Sequence, residues 1–158
     1  MRIGLVIYGS LDTVSGGYLY DRKLVAHLRR QGDAVEIISQ TPAGYVRHLG
    51  QNFSAELRRR LQSASYDVLL QDELNHPSLF LLNRQLKRHV GYPLVSIVHH
   101  LRVSEQHNTL LSPFYRYVER LYLHTIDGFI FNSPTTLDAV RELQGDLPPH
   151  VTAIFMLE

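Results

Sequence analysis

Four short stretches of the chain carry groups able to do chemistry. Gly16-Gly17 stands where a helical pattern begins. With no Cβ in the way, backbone N–H groups there can close on an anionic oxygen, and the helix dipole adds favourable partial charge; the bland alternative is an ordinary turn. His99-His100 sets two imidazoles in a row, each able to donate to a hydroxyl or to move a proton near neutral pH, and each equally able to be satisfied by local backbone. Asp72-Glu73 can accept hydrogen bonds from ligand hydroxyls, or serve as caps and a solvated rim. Asn132-Ser133 adds a carboxamide, while Ser133, followed by Pro134, suits a helix N-cap.

These groups are placed by an alternation of buried-strand runs and helix-length stretches. The runs are Arg2 to Tyr8, Ala34 to Ser39, Asp67 to Gln71, Leu94 to Val98, Gly128 to Phe131 and Val151 to Phe155. Between the first two, Leu24, Val25 and Leu28 share a helical face and Gly32 stands where that helix would stop. Further helices are expected over Ala55 to Ala64, from Asn75 with Pro77 just inside the start, over Leu111 to Thr125, and from Ser133-Pro134. Gln40 to Gln51 and His99 to Thr109 carry no regular pattern, and loops of about 12 residues often carry function. The alternation predicts a single α/β domain built on a doubly wound, mostly parallel Rossmann-like sheet. Ligands of such sheets bind beyond the carboxyl ends of the strands where strand order reverses, expected here between the first and fourth strands. The Gly9 to Gly17 loop should then face His99-His100, with Asp72-Glu73 and Asn132 on the same rim.

Composition narrows the functional classes. The 158 residues hold sixteen Lys plus Arg against fifteen Asp plus Glu, a formal charge of +1, so nothing favours nucleic acid as partner. Zero Cys excludes disulfides and thiolate metal sites, and no H-E-x-x-H spacing organises the nine His, so no metal is expected. No G-x-S-x-G turn supports a serine nucleophile. The first loop lacks G-x-G-x-x-G and the second strand ends in Ser39-Gln40 where a ribose-binding acid would stand, which disfavours NAD; no cofactor is expected. No apolar stretch is long enough to span a bilayer, and the apolar start is too short for a signal-peptide core, so a soluble, by default cytoplasmic, protein is expected. Arg58-Arg59-Arg60 and the group Arg84, Lys87 and Arg88 read as solvated helix faces, with peripheral contact to anionic lipid as their alternative use.

The ordered set of motifs resembles the amino-terminal domain of retaining GT-B glycosyltransferases of family 4, also called group 1. The match rests on Met1-Arg2-Ile3-Gly4-Leu5-Val6, on Ser15-Gly16-Gly17 before a helix ending Leu28-Arg29-Arg30-Gln31-Gly32-Asp33-Ala34-Val35, and on Pro93 to His100. Glu119-Arg120-Leu121 followed by Asp127 to Pro134 completes it, over nearly the whole chain. The resemblance implies transfer of a sugar from a nucleotide-activated donor, the co-substrate, to a sugar, lipid or other acceptor, with retention and usually without a metal. It implies a catalytic His99, with His100 as alternate, and Gly16 and Gly17 against the donor's phosphate and sugar; Asp72, Glu73 and Asn132 are the acceptor-side candidates. On this reading residues 1–156 form the acceptor-side domain and 157–158 are a cloning remnant. The carboxy-terminal donor-binding domain, with its paired-Glu motif, is missing, which leaves the chain alone inactive. The competing expectation is a stand-alone flavodoxin-like module for small-ligand binding or signalling, although a phospho-receiver would need acids at the end of the first strand, which here ends Tyr8-Gly9.

Overall fold

The computed structural model describes residues 1–102 and 110–154. Six strands form one sheet: β1 (Arg2–Tyr8), β2 (Ala34–Gln40), β3 (Val68–Asp72), β4 (Leu94–Val98), β5 (Gly128–Phe131) and β6 (His150–Thr152). All five pairings are parallel, in the order β2-β1-β3-β4-β5-β6. The helices are α1 (Gly16–Arg30), α2 (Tyr45–Gln51), α3 (Ala55–Ser63), α4 (His76–Leu86), α5 (Ser112–Leu123) and α6 (Pro134–Gln144), with a single 3-10 turn at Glu73–Asn75.

Every residue of β1 after Arg2 is buried, as an inner strand covered on both faces requires. Ile3, Leu5 and Ile7 pack with Tyr20 and Val25 of α1 on one side. On the other, Val6 joins Leu57 and Leu61 of α3, Leu79, Leu82 and Leu86 of α4, and Leu123 of α5. Gly4 is the tightest point of the sheet, because a Cβ there would meet Leu69 Cδ1 and Tyr66 Cε2 at 2.8 Å. The doubly wound α/β fold expected from the residue pattern is therefore present.

Three expectations need correction. Strand order reverses between β1 and β3, with β3 standing between β1 and β4; the first chain crossover returns to one side of β1 and the next leaps to the other. Gln40 to Gln51, expected to be irregular, contains α2. That helix has 7 residues, one Gly inside it and only His48 buried, so it shows no apolar stripe and is too short to form on local energetics alone. Tertiary contacts hold it: His48 stacks on Tyr8, and Asn52 just past its end bonds to α4. The last strand runs His150–Thr152 rather than from Val151 onward, and Phe155 lies outside the described residues. Among the described residues no helix is long and apolar enough to cross a membrane.

Candidate functional site

The carboxyl ends of β1, β3, β4 and β5 gather the predicted residues. Ser15 caps α1, its side chain accepting from the Tyr18 N–H, so Gly16 and Gly17 occupy the first turn of a capped helix. The two glycines do different work. A Cβ on Gly16 would meet nothing within 4 Å, so this residue borders open space. A Cβ on Gly17 would come 3.2 Å from His99 Cδ2. Gly17 is thus the residue whose missing side chain lets the His99 ring lie against the helix.

His99, directly after β4, is held from several directions. Its Nε2 lies 2.9 Å from Asp21 Oδ1, and the Tyr20 ring meets it edge-on with centroids 5.0 Å apart. Its carbonyl accepts from Asn132 Nδ2 at 3.2 Å, and the Asn132 carboxamide is itself fixed by Thr136 Oγ1. Asp21 is fully buried; its Oδ2 and His99 Nδ1 have no hydrogen-bond partner among the described residues. Burial pulls the imidazole's pKa down, but the Asp21 hydrogen bond and the charges of Asp21 and Asp72 outweigh it, so His99 holds its proton above the usual histidine range. The arrangement favours the protonated imidazole, with the buried Nδ1 as the ring nitrogen not engaged by Asp21.

Asp72 and Glu73, expected on the rim, lie beneath it, each 1% exposed. Asp72 caps the 3-10 turn by accepting from the Leu74 N–H. Burial, reinforced by the charge of Asp21, raises its carboxyl to about 7, against the opposing pull of His99 and that N–H. Glu73 pairs with His76 Nδ1 at 2.9 Å, and burial pushes His76 down to about 4. Ser133 is the N-cap of α6, in a capping box with Thr136. His124, exposed, caps the end of α5 with its Nδ1 against the Arg120 carbonyl, and His107 lies outside the described residues. The basic groups are largely occupied at the surface, Arg60 by Glu36 and Lys87 by Asp127.

His100 is exposed and turns away from its neighbour, towards a cavity of about 230 Å³ that it lines with Tyr8, Tyr45, His48, His76 and Arg102. The histidine pair therefore serves two places, not one. Two triads bring possible metal-ligand atoms within 4.8 Å of one another: Asp21, Asp72 and His99, and Glu73, His76 and Glu119. In the first, His99 Nε2 already lies 2.9 Å from Asp21 Oδ1.

The residues that the sequence reading overlooked differ in how well they could be seen. Asp21 has a signal, since positions 21, 24, 25 and 28 fall on one helical face and an acid there breaks the apolar stripe of α1. Tyr45, His48 and Arg102 fall in the two patternless segments, Gln40 to Gln51 and His99 to Thr109, whose length points to function, but nothing local announces α2 or its closeness to the segment after β4.

Fold and site together define a Rossmann-like α/β domain with a glycine-bearing helix start facing a carboxylate-bound histidine. The chain belongs to the glycosyl transferase 4-like domain family, whose model matches residues 15–155. Among solved structures it is similar to sucrose-phosphate synthase (tll1590) from Thermosynechococcus elongatus, with a TM-score of 0.75 at 14% sequence identity. That similarity covers 97% of this chain and 47% of the synthase, so the chain spans about half the length of that relative. No curated protein sequence matches.

Proposed function

We propose that this chain is the acceptor-side domain of a retaining glycosyltransferase that moves a sugar from a nucleotide-activated donor to an acceptor. A second, donor-binding domain closes over the carboxyl-end rim, and no metal is needed. The observation that carries this reading is the contact of Gly17 with the His99 ring at the rim, with open space left at Gly16. Gly16 offers backbone N–H groups at a helix start to the donor's phosphate oxygens. His99, kept protonated by Asp21, donates from Nδ1 to the donor as negative charge develops on the leaving phosphate, where a fixed donor stabilises the transition state more than the ground state. Its proton is already bound, so it acts as a donor and not as a base. Family membership supports glycosyl transfer in general; retention and the division of labour between two domains are part of the proposal.

The test uses the protein in which both halves are present. His99→Ala should lower turnover of a nucleotide sugar by about 100-fold or more, the scale of a lost positioned proton donor. Because it also leaves the buried Asp21 without its partner, the melting temperature should fall too, and turnover is compared at a temperature where both proteins are folded. Gly16→Ala, whose added methyl enters open space, should raise the donor KM without destabilising the fold. Parent-like kinetics in both variants would remove the reading.

A further inference from the structure

The acceptor side of the proposed reaction has no evident seat among the residues first suspected of it. Asp72 and Glu73 are buried, and Asn132 is occupied by the His99 carbonyl and Thr136. What stands open beside the site is the cavity that His100 lines. One wall is the Tyr8 ring stacked on His48, with centroids 3.9 Å apart and planes 9° from parallel. Tyr45 lines it too, with its hydroxyl 3.4 Å from His76 Nε2. Arg102 stands at the mouth. Its guanidinium carbon lies 4.9 Å from the Tyr45 ring centroid and 4.6 Å from that of Tyr115, and its backbone N–H is pinned to Glu119 Oε1 at 2.7 Å.

Two features set the chemical class of the occupant. The first is size. About 230 Å³ falls below the roughly 300–1,000 Å³ of pockets that take drug-sized ligands, leaving room for one ring. The second is the donor inventory. Arg102 is donor-only, with the Tyr45 and Tyr115 rings, their centroids 4.6 Å apart, gathered to one side of its guanidinium carbon; His100 and Tyr45 add an imidazole and a phenol. Among the described residues no carboxylate or carboxamide lines this cavity. Glu73 and Glu119, the acids behind it, are 1% and 0% exposed. A neutral polyol would ask for strong acceptors as well as donors, whereas the described lining side chains include a cation and no carboxylate or carboxamide. Aromatic walls suit the apolar face of a saturated ring, and the guanidinium fork suits two oxygens of an anionic substituent.

Resting on the acceptor-domain reading, we propose that this cavity is the acceptor subsite and takes a single sugar ring bearing an anionic group, phosphate or carboxylate, with Arg102 and His100 on the anion. His100 then reads the acceptor while His99, one residue earlier, serves the donor, so one strand end sets both substrates across the same rim.

The experiment titrates the 158-residue chain, followed by side-chain NMR of the histidines and arginine Nε groups, with D-glucose 6-phosphate, D-glucuronate, D-glucose and inorganic phosphate in separate arms. Saturable shifts of the His100 and Arg102 signals with at least one anionic sugar are expected, at concentrations where glucose and inorganic phosphate leave them unmoved; the stronger of the two anionic arms identifies the substituent. Arg102→Gln should weaken that binding about tenfold or more, the scale of a lost charged hydrogen bond. His100→Gln, at an exposed position that cannot unfold the domain, should weaken it too. Equal response to glucose, equal response to inorganic phosphate, or no response of His100 and Arg102 in any arm would overturn the proposal. Its failure is separable from that of the functional reading: if the anionic sugars bind here but are not glycosylated by the two-domain protein, the subsite stands and its acceptor role falls.

Discussion

At the scale of single residues, the environment of β3's carboxyl end makes pH a direct probe. In the fold Asp72 keeps its proton up to about pH 7, whereas an unfolded aspartate releases it near pH 4. Between those values the folded chain binds more protons than the unfolded chain, so this group's contribution to stability is present at low pH and lost as pH rises. His99, also raised, pulls in the same direction. His76, pushed down to about 4, pulls the other way between pH 4 and 6.5, but it is common to parent and variant and cancels in their difference. Asp72→Asn keeps an oxygen for the Leu74 N–H and removes the titration. The variant should therefore gain stability relative to the parent on going from pH 5 to pH 8, measured as urea midpoints at the two values. A gap that stays constant or narrows would show that Asp72 ionises normally. The identity of this residue was legible as a polar group at a strand end; its burial between Asp21 and His99 was not, because it arises from residues about 50 positions upstream and 27 downstream in the chain.

At the scale of elements, most of the architecture could be read locally. β1, β4 and β5 run over the same residues as their apolar runs, and α6 begins at the Ser133-Pro134 signal. Helix α2 is the exception, and its stability rests on Asn52. That side chain donates to the carbonyls of Leu49 at 2.9 Å and Pro77 at 2.6 Å, and accepts from the N–H groups of Leu81 and Leu82 at 2.9 and 3.3 Å. One buried carboxamide thus ties the end of α2 to the first turns of α4. Asn52→Ala should cost about 2–4 kcal/mol, since it removes a buried carboxamide that makes four hydrogen bonds and leaves a void in its place. Chemical denaturation reads the loss, and a variant within about 0.5 kcal/mol of the parent, the range of a surface substitution, would show that α2 is held mainly by ring stacking. Because Tyr45 and His48 line the proposed acceptor cavity from this helix, the same variant should disturb that cavity before it disturbs the sheet.

At the scale of the whole molecule, the six-stranded sheet gathers one rim, over which a second domain is proposed to close. Without it the donor has only helix-start amides and His99 to bind, and reactants are not held at the effective concentration a closed cleft supplies. The 158-residue chain should therefore show no measurable transfer from nucleotide sugars to any acceptor, monitored as release of nucleoside diphosphate; turnover by the chain alone would contradict the two-domain mechanism. The amino-acid sequence by itself determined the α/β class, the parallel sheet and the helix caps, because buried runs and capping residues are written in local patterns. Only the tertiary structure decided that β3 stands between β1 and β4, that Asp21 holds His99, and that His100 faces a different cavity from its neighbour. Those are matters of which distant side chains meet when both faces of the sheet are packed, and a pairwise encounter between remote positions leaves no periodicity in the chain.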